Sequence, residues 1–447
     1  MFKSSRRCAI LYVAVTVLAL PVAAQETVEG RLLEVLKAKG IIDEAEYADL
    51  RKLETELREN KATENQLDAR IDEMISSVQD EAPSTSYTVG KGFTWRTADE
   101  RFRLSVGGRL QVRFTYDGWS KNARTDDEDE PDFDVPRARI WLRGNVFETY
   151  LKYKFQFDIA GDEADTTVTF PNGTMPGFSS GNRLTELKDA HFDFAKWKAF
   201  SIRGGQFKVP YSRHWLVSSG TLEFVDRSIT NRAFSRGRDV GLMIYGKVGG
   251  ENEDLFEYYA GAFDGEGENR SNNDRGLLYV GRVAFNPFGG VKYTESDTKN
   301  SEDFKLAIGL NAWLHEDDNH TSAGDDWSIG FDVAAFWQGF FGMFELHYRE
   351  NDAGAAADVE ILGWVAQLGY FIIPNEFEVA LRYATIDWDN NGTGDSGSRE
   401  YLLVLGYFWH EHNMKLQLDF GRVEDHQGDH ADNTDEWRMR LQFQVIF

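Results

Sequence analysis

The sequence predicts an all-β fold, a 16-stranded antiparallel transmembrane β-barrel preceded by an N-terminal α-helical coiled-coil segment. Three observations predict it: a secretory leader, a hydrophobic period of two from about residue 100 to the end, and connections that alternate between long and short.

The leader comes first. Lys3, Arg6 and Arg7 precede an apolar stretch from Ala9 to Val22, and the small residues Ala23 and Ala24 stand before Gln25. This is the layout of a signal peptide over residues 1–24, cleaved near Ala24; a twin-arginine signal is the alternative reading of Arg6-Arg7. The single cysteine, Cys8, lies inside it, so the mature chain is expected to carry no thiol, disulfide or cysteine-bound metal. No later stretch reaches the roughly 18 apolar residues of a transmembrane helix, and the mean hydropathy is -0.48. A barrel is compatible with that value because lipid-facing and lumen-facing residues alternate along each strand and average out. The net charge of -25 excludes nucleic acid as a partner, since phosphate binding needs a basic surface.

Residues 25–85 are expected to form a periplasmic helical segment. Leu50, Leu53, Leu57, Asn60, Glu64, Leu67, Ile71, Met74 and Val78 follow alternating steps of three and four, the seam of a coiled coil. A solvated single helix is the alternative. Gly40 is placed to close a short helix before it, and Asp43 with Glu46 resembles a capping box that opens the long one.

Residues 86–447 are expected to form the barrel. In the first strand Phe102, Leu104, Val106, Leu110, Val112, Phe114 and Tyr116 share one face, opposite Arg101, Arg103, Ser105, Arg109, Gln111 and Arg113. The second sets Ala138, Ile140, Leu142 and Val146 against Arg137, Arg139, Arg143 and Asn145. The third opposes Leu151, Tyr153, Phe155, Phe157 and Ile159 to Lys152, Lys154, Gln156 and Asp158. Sixteen such segments occur, most about 9 to 13 residues long, as a tilted strand needs to cross a bilayer. Long acidic or Gly/Asn-rich loops alternate with short links such as Phe147-Glu148-Thr149 and His410-Glu411-His412, which puts both barrel ends in the periplasm. The link around 286–303 is long for its class. A soluble β-sandwich would explain neither the arginine-rich polar faces nor the two alternating loop classes.

Sixteen strands leave an aqueous channel, so passage of small hydrophilic solutes is the default function. Two observations point to anions. The polar faces of the first three strands carry Arg101, Arg103, Arg109, Arg113, Arg137, Arg139, Arg143, Lys152 and Lys154 against one acid, Asp158. The segment Gln206–Asp239 holds Lys208, Arg213, Arg227, Arg232, Arg236 and Arg238 against Glu223, Asp226 and Asp239, a local excess of three positive charges. Arginine stays charged and presents a fork of donors suited to oxyanions. The competing reading pairs these cations with lumenal acids such as Asp189, Asp193, Glu345, Glu378 and Asp419. Acidic loops such as Asp126–Asp134 are expected to face outward, where divalent cations bridge lipopolysaccharide. The loop Asp387–Gly392 starts like an EF-hand, but Ser398 stands where the bidentate glutamate belongs, so an ordinary turn is expected. His410, His412, His426 and His430 lack metal-ligand spacing, and no nucleophile elbow or phosphate loop occurs. No cofactor, metal or catalytic site is therefore expected.

Val135-Pro136-Arg137-Ala138-Arg139, Lys188-Asp189-Ala190-His191-Phe192, Gly205-Gln206-Phe207-Lys208-Val209-Pro210-Tyr211 and Phe224-Val225-Asp226-Arg227-Ser228 resemble the phosphate-selective porin O and P family, over about residue 90 to Phe447. The resemblance implies a homotrimer of sixteen-stranded outer-membrane barrels. It implies a third outside loop folded into each pore, and an arginine ladder that leads anions to a lysine and arginine constriction. On that resemblance Lys208, Arg213 and Arg227 are candidates for the constriction; Arg109, Arg113, Arg137, Arg139, Arg143, Arg232, Arg236 and Arg238 complete the expected anion path. The expected partners are outer-membrane lipid, lipopolysaccharide, small anionic solutes and a periplasmic partner of the coil. A general or carbohydrate-type pore, and a barrel that tethers the envelope through its coil, are the alternative functions.

Overall fold

The fold was taken from a computed structural model, which describes residues 28–57, 70, 74, 83–119, 130–160, 169–170, 173–174, 186–249, 254–272, 275–317, 324–351, 359–389, 396–427 and 434–447. The chain divides into two units that part between Ala82 and Pro83. In the first, α1 (Val28–Ala38) ends at Gly40, whose φ of 67° is one that glycine adopts without a Cβ penalty. α2 (Glu44–Leu57) opens on the reciprocal cap that the sequence predicts: Asp43 N–H donates to Glu46 Oε2 (2.9 Å) and Glu46 N–H to Asp43 Oδ1 (2.8 Å). Leu33, Ile42 and Leu50 are buried together, with Leu53 and Met74 packed against them. The seam residues Leu50 and Leu53 thus serve a local hairpin core. Most of the remaining seam, and the leader, lie outside the described residues.

The second unit is one antiparallel sheet. Its hairpin, β1 (Ser84–Thr88) and β2 (Gly92–Arg96), precedes β3 (Arg103–Trp119), β4 (Glu130–Asn145) and β5 (Leu151–Asp158). A small separate pair, β6 (Thr169–Phe170) and β7 (Gly173–Thr174), lies between β5 and β8 (Glu186–Trp197). Then follow β9 (Phe200–Lys208), β10 (Arg238–Val248), β11 (Phe256–Phe263), β12 (Leu278–Phe285), β13 (Lys305–Asp317) and β14 (Gly324–Trp337). The last six are β15 (Phe340–Asn351), β16 (Val359–Ile373), β17 (Phe377–Asp389), β18 (Ser396–His410), β19 (Met414–Gln427) and β20 (Thr434–Ile446). Each barrel strand pairs with the next, and β20 pairs with β3 from Ile446↔Arg109 to Glu436↔Trp119, which closes a ring of sixteen. Closure leaves no open edge in the bilayer, where an unpaired backbone N–H or C=O has no water to bond. The β1–β2 hairpin, which the sequence reading did not resolve, extends the ring's seam: β2 pairs with β3 from Phe93↔Val106 to Arg96↔Arg103, beyond the end of β20. Several strands exceed the expected length, β3 reaching 17 residues, so they run past the bilayer thickness.

Side-chain parity follows the predicted faces. Leu104, Leu110, Val112 and Tyr116 are exposed outward, whereas Ser105, Arg109, Gln111 and Arg113 are buried inward. The inside is not uniformly polar, however. On β9 to β17 the inward face carries Phe207, Met243, Phe263, Leu278, Val280, Trp313, Val359, Ile361, Ile386 and Trp388, all buried. Such a face cannot line water at that size without large cost, and two chain segments cover it.

The first is residues 209–237, between β9 and β10. Pro210 and two serine-capped short helices, α3 (Arg213–Leu216, capped by Ser212) and α4 (Ile229–Phe234, capped by Ser228), replace the strand pattern there. Val209 N–H donates to Gly237 O (3.0 Å) and closes its base. Val209, Tyr211, Ala233 and Phe234 join the apolar inward faces. Phe224 packs with Ala380, Leu402 and Val404. The second is residues 286–304, between β12 and β13, the link that is long for its class. It turns back into the barrel, where Val291 packs with Ala307, Ala334, Phe336, Phe341, Met343, Val365 and Ala384. Asp297 fixes its return by accepting N–H bonds from Ser301 (2.8 Å) and Gly339 (2.9 Å).

Candidate functional site

Between the lumen segment 209–237 and the arc from β20 through β3 to β11, with Arg349 of β15, lies a cavity of about 770 Å³. Fourteen Lys and Arg side chains line it against six Asp and Glu, an excess of eight positive charges in a chain that is -25 overall. A low-dielectric wall around a water-filled path strengthens that field relative to open solution.

Eight of the eleven residues singled out from sequence meet here: Arg113, Arg137, Arg139, Lys208, Arg227, Arg232, Arg236 and Arg238. Three do not. Arg213 turns away from the cavity, donates to Lys292 O (2.5 Å) and lies 4.9 Å from the Tyr293 ring centre, so it ties the lumen segment to the β12–β13 connection. Arg109 is covered by the lumen segment and donates to Ser219 Oγ (2.8 Å). Arg143 sits toward the short-turn end of β4, 5.9 Å from the Trp141 ring centre. Strand parity gives the face of Arg109 and Arg143, but not what lies over it.

Most of the lining cations have carboxylate partners, as the competing reading expected. Arg238 (2.8 Å) and Lys154 (2.5 Å) share Asp189, Arg139 pairs with Asp158 (2.6 Å), and Arg203 pairs with Asp193 (2.7 Å). Arg440 makes a bidentate pair with Asp419 (2.9 and 2.7 Å). Glu345 and Glu378 differ from that expectation: Glu345 accepts the His214 N–H (2.7 Å), and Glu378 accepts from Ser296 (2.8 Å). Arg236 and Arg349 share Asp326. Lys188, Arg203, Arg349, Arg438 and Arg440 line the cavity without having been singled out. In the last strand Arg438 and Arg440 alternate with Trp437, Met439 and Leu441, and that is the signal that could have found them.

Two lining cations are held differently. Lys208 Nζ donates to the carbonyls of Trp215 (2.7 Å) and Val217 (2.8 Å) and lies 4.8 Å from the Trp215 ring centre. Arg227 donates to the carbonyls of His214 (3.1 Å) and Val217, and its guanidinium carbon is 5.0 Å from the same ring. The indole thus lies in contact with both cations, and the partners that fix them are neutral. Neither has a carboxylate partner among the described residues. Burial, followed by the charge of Arg137, pushes the Arg227 guanidinium down to about 9, which leaves it cationic at neutral pH.

Asp226 anchors the lumen segment to the opposite wall. It meets Arg137 (2.7 Å), Arg113 (2.8 Å) and Arg440 (3.3 Å). Burial alone would raise its carboxyl, but these three guanidiniums outweigh burial and hold it well below the usual carboxylate range.

Comparison with known proteins agrees with this architecture. The family described as phosphate-selective porin O and P matches residues 104–447. An uncharacterized protein of Aquifex aeolicus (strain VF5) is 26% identical over 382 residues, covering 78% of this chain and 89% of that protein. Among solved structures, the anion-selective porin from Comamonas acidovorans superposes with a TM-score of 0.50 at 14% identity, covering 77% of this chain and 99% of the other. The outer membrane channel DcaP of Acinetobacter baumannii gives a TM-score of 0.50 at 11% identity, covering 77% and 97%.

Proposed function

Because the chain belongs to the phosphate-selective porin O and P family and is an outer-membrane porin, we propose that its lumen passes small anions by diffusion, phosphate and related oxyanions among them. One observation carries this reading: Lys208 and Arg227 face the cavity while held by carbonyls and an indole, so their charge is not cancelled by an adjacent carboxylate. An anion that enters meets two positive charges already fixed in place, which lowers the entropy cost of its passage. The paired arginines along β3, β4, β10 and β20 supply a path whose charge is screened but still positive in sum. The anion-selective porin of Comamonas acidovorans, similar in fold, lends the reading support by analogy alone.

The same family membership supports a homotrimer in which the β9–β10 segment is the third outside loop. Acidic loops would then meet lipopolysaccharide, and the N-terminal unit would meet a periplasmic partner. The extensive pairing of lumenal arginines is the observation that favours a general pore instead. Reversal potential in a planar bilayer under a salt gradient separates anion preference from its opposite, and single-channel conductance in chloride with added phosphate separates a phosphate site from a general pore. Cation preference would overturn the proposal; indifference to phosphate would leave an unspecific anion pore.

A further inference from the structure

Where the lumen segment meets the β12–β13 connection, three carboxylates converge out of reach of the cavity. Glu223 of the lumen segment, Glu295 of the connection and Glu378 of β17 are each 0% exposed. Glu223 N–H donates to Glu295 Oε2 (2.8 Å), Gln367 Nε2 donates to Glu223 Oε2 (2.6 Å) and Glu295 Oε2 (3.1 Å), and Ser296 donates to Glu378 Oε2 (2.8 Å). All these donors are neutral. One oxygen of each carboxyl, Oε1 in every case, has no hydrogen-bond donor among the described residues, and Gln367 Nε2 bridges the other oxygens of Glu223 and Glu295. The fold makes room for this: a Cβ on Gly369 of β16 would overlap Glu223 Oε1.

The surrounding charges do not neutralise the cluster by contact. Lys415 of β19 donates to Leu222 O (2.6 Å) and approaches His412 Nδ1 (3.3 Å). His412 Nε2 faces Glu295 O (2.8 Å), so that nitrogen carries the proton, Nδ1 accepts from Lys415, and the ring is neutral. Arg382 of β17 donates to Gln367 and to Asp226 O. Arg109 of β3 is directed to Ser219, and Arg227 to backbone carbonyls. His214 of the lumen segment lies 3.4 Å from Glu295 Oε1, and Glu345 and His347 of β15 face its other side. Buried carboxylates this close, fed by neutral donors, cannot all ionise.

We propose that this junction is a proton-loaded latch: a proton held on the Glu223, Glu295 and Glu378 cluster keeps residues 286–304 docked against the lumen segment, which lines the cavity with its other residues, and its loss to water releases them. The latch rests on the lumen being the conduction path, not on anion preference. Burial, and then the charges of Glu378 and Glu295, raise the Glu223 carboxyl well above its ordinary range. A group whose docked value is raised favours docking at low pH. The docking equilibrium therefore weakens as pH climbs from the ordinary carboxylate value through the raised one, by about tenfold per pH unit for one proton.

The test uses the full-length chain with Cys8→Ser and Thr298→Cys, reconstituted in bilayers. Thr298 is 9% exposed, whereas the neighbouring Lys299 side chain is 67% exposed. Maleimide labelling of Thr298→Cys, divided by that of Lys299→Cys at each pH to remove thiol ionisation, is followed from about pH 5 to about pH 8.5. The ratio should rise severalfold or more with pH alongside single-channel conductance, and Glu378→Gln or Glu223→Gln should flatten both. A ratio that stays level in the parent protein, or that rises unchanged in both glutamine variants, overturns the latch. Reversal potential recorded on the same channels keeps the two proposals apart: a cation-preferring pore with pH-dependent labelling would sink anion selectivity alone, and an anion-preferring pore with level labelling would sink the latch alone.

Discussion

Three guanidiniums converge on Asp226, and that single carboxylate fixes how the lumen segment faces the opposite wall. Its folded value is depressed, so its stabilising contribution is complete above about pH 3.9, the ordinary aspartate value, and is lost as pH falls from there toward the depressed one. The unfolding midpoint in detergent should therefore lose this contribution only below about pH 4. Asp226→Asn should lower the neutral-pH unfolding free energy by an amount on the order of 2 kcal/mol and remove that part of the acid loss. An unaltered acid profile in the variant would mean the pairing is incidental. Lys208 and Arg227 make the complementary case. Replacing either by glutamine keeps a donor for the carbonyls but deletes a charge that no carboxylate among the described residues pairs with. The anion-to-cation permeability ratio should fall by about a factor of 3 to 10 at low salt, with less effect at high salt. Arg143→Gln, off the cavity, should leave the ratio where it was.

At the scale of the element, alternation made the strands legible because lipid on one side and a different environment on the other sort side chains with a period of two. What it could not supply is what fills the lumen. The sign was nevertheless present: in β16 the inward residues Val359, Ile361 and Val365 are as apolar as the outward Leu362 and Leu368, and in β18 Leu402 and Val404 match Leu403 and Leu405. A strand apolar on both faces is buried on both faces, so a covering segment had to exist. The long link at 286–303 stood out in sequence, but its insertion depends on meeting Glu223 and Arg213, distant in sequence. Which arginine meets which carboxylate was hidden for a similar reason. Asp419 and Arg440 are register partners on adjacent strands, while Asp226 reaches Arg440 from a segment 214 residues away. Gly369→Ala tests the element-level packing. The added methyl would overlap the Glu223 carboxyl and force the tip of the lumen segment to move. Single-channel conductance should change by tens of per cent and become noisier while the barrel still folds, because Gly369 pairs in register with Phe341 and Ala380 through backbone bonds that alanine retains.

For the whole molecule, closure is the controlling fact. The hydrogen-bond ring runs from β3 round to β20 and back, sealed where Gly108 and Phe447 exchange N–H to carbonyl bonds (2.7 and 2.9 Å) and where β2 continues the seam along β3. Every pairing in that ring, and every residue that lines the cavity or the buried carboxylate cluster, comes from the unit that begins at Pro83. The N-terminal unit has its own small core of Leu33, Ile42 and Leu50, and its described residues supply none of these groups. Deleting residues 26–82 while retaining residues 1–25 should therefore leave single-channel conductance, reversal potential and the pH response of the purified barrel unchanged within error. If the N-terminal unit serves envelope attachment, cells carrying the deletion should become sensitive to detergent and lose outer-membrane vesicles at a higher rate, with solute flux intact. Loss of conductance on deletion would instead mean that the helices are needed to complete the pore, and the division of labour between the two units would have to be abandoned.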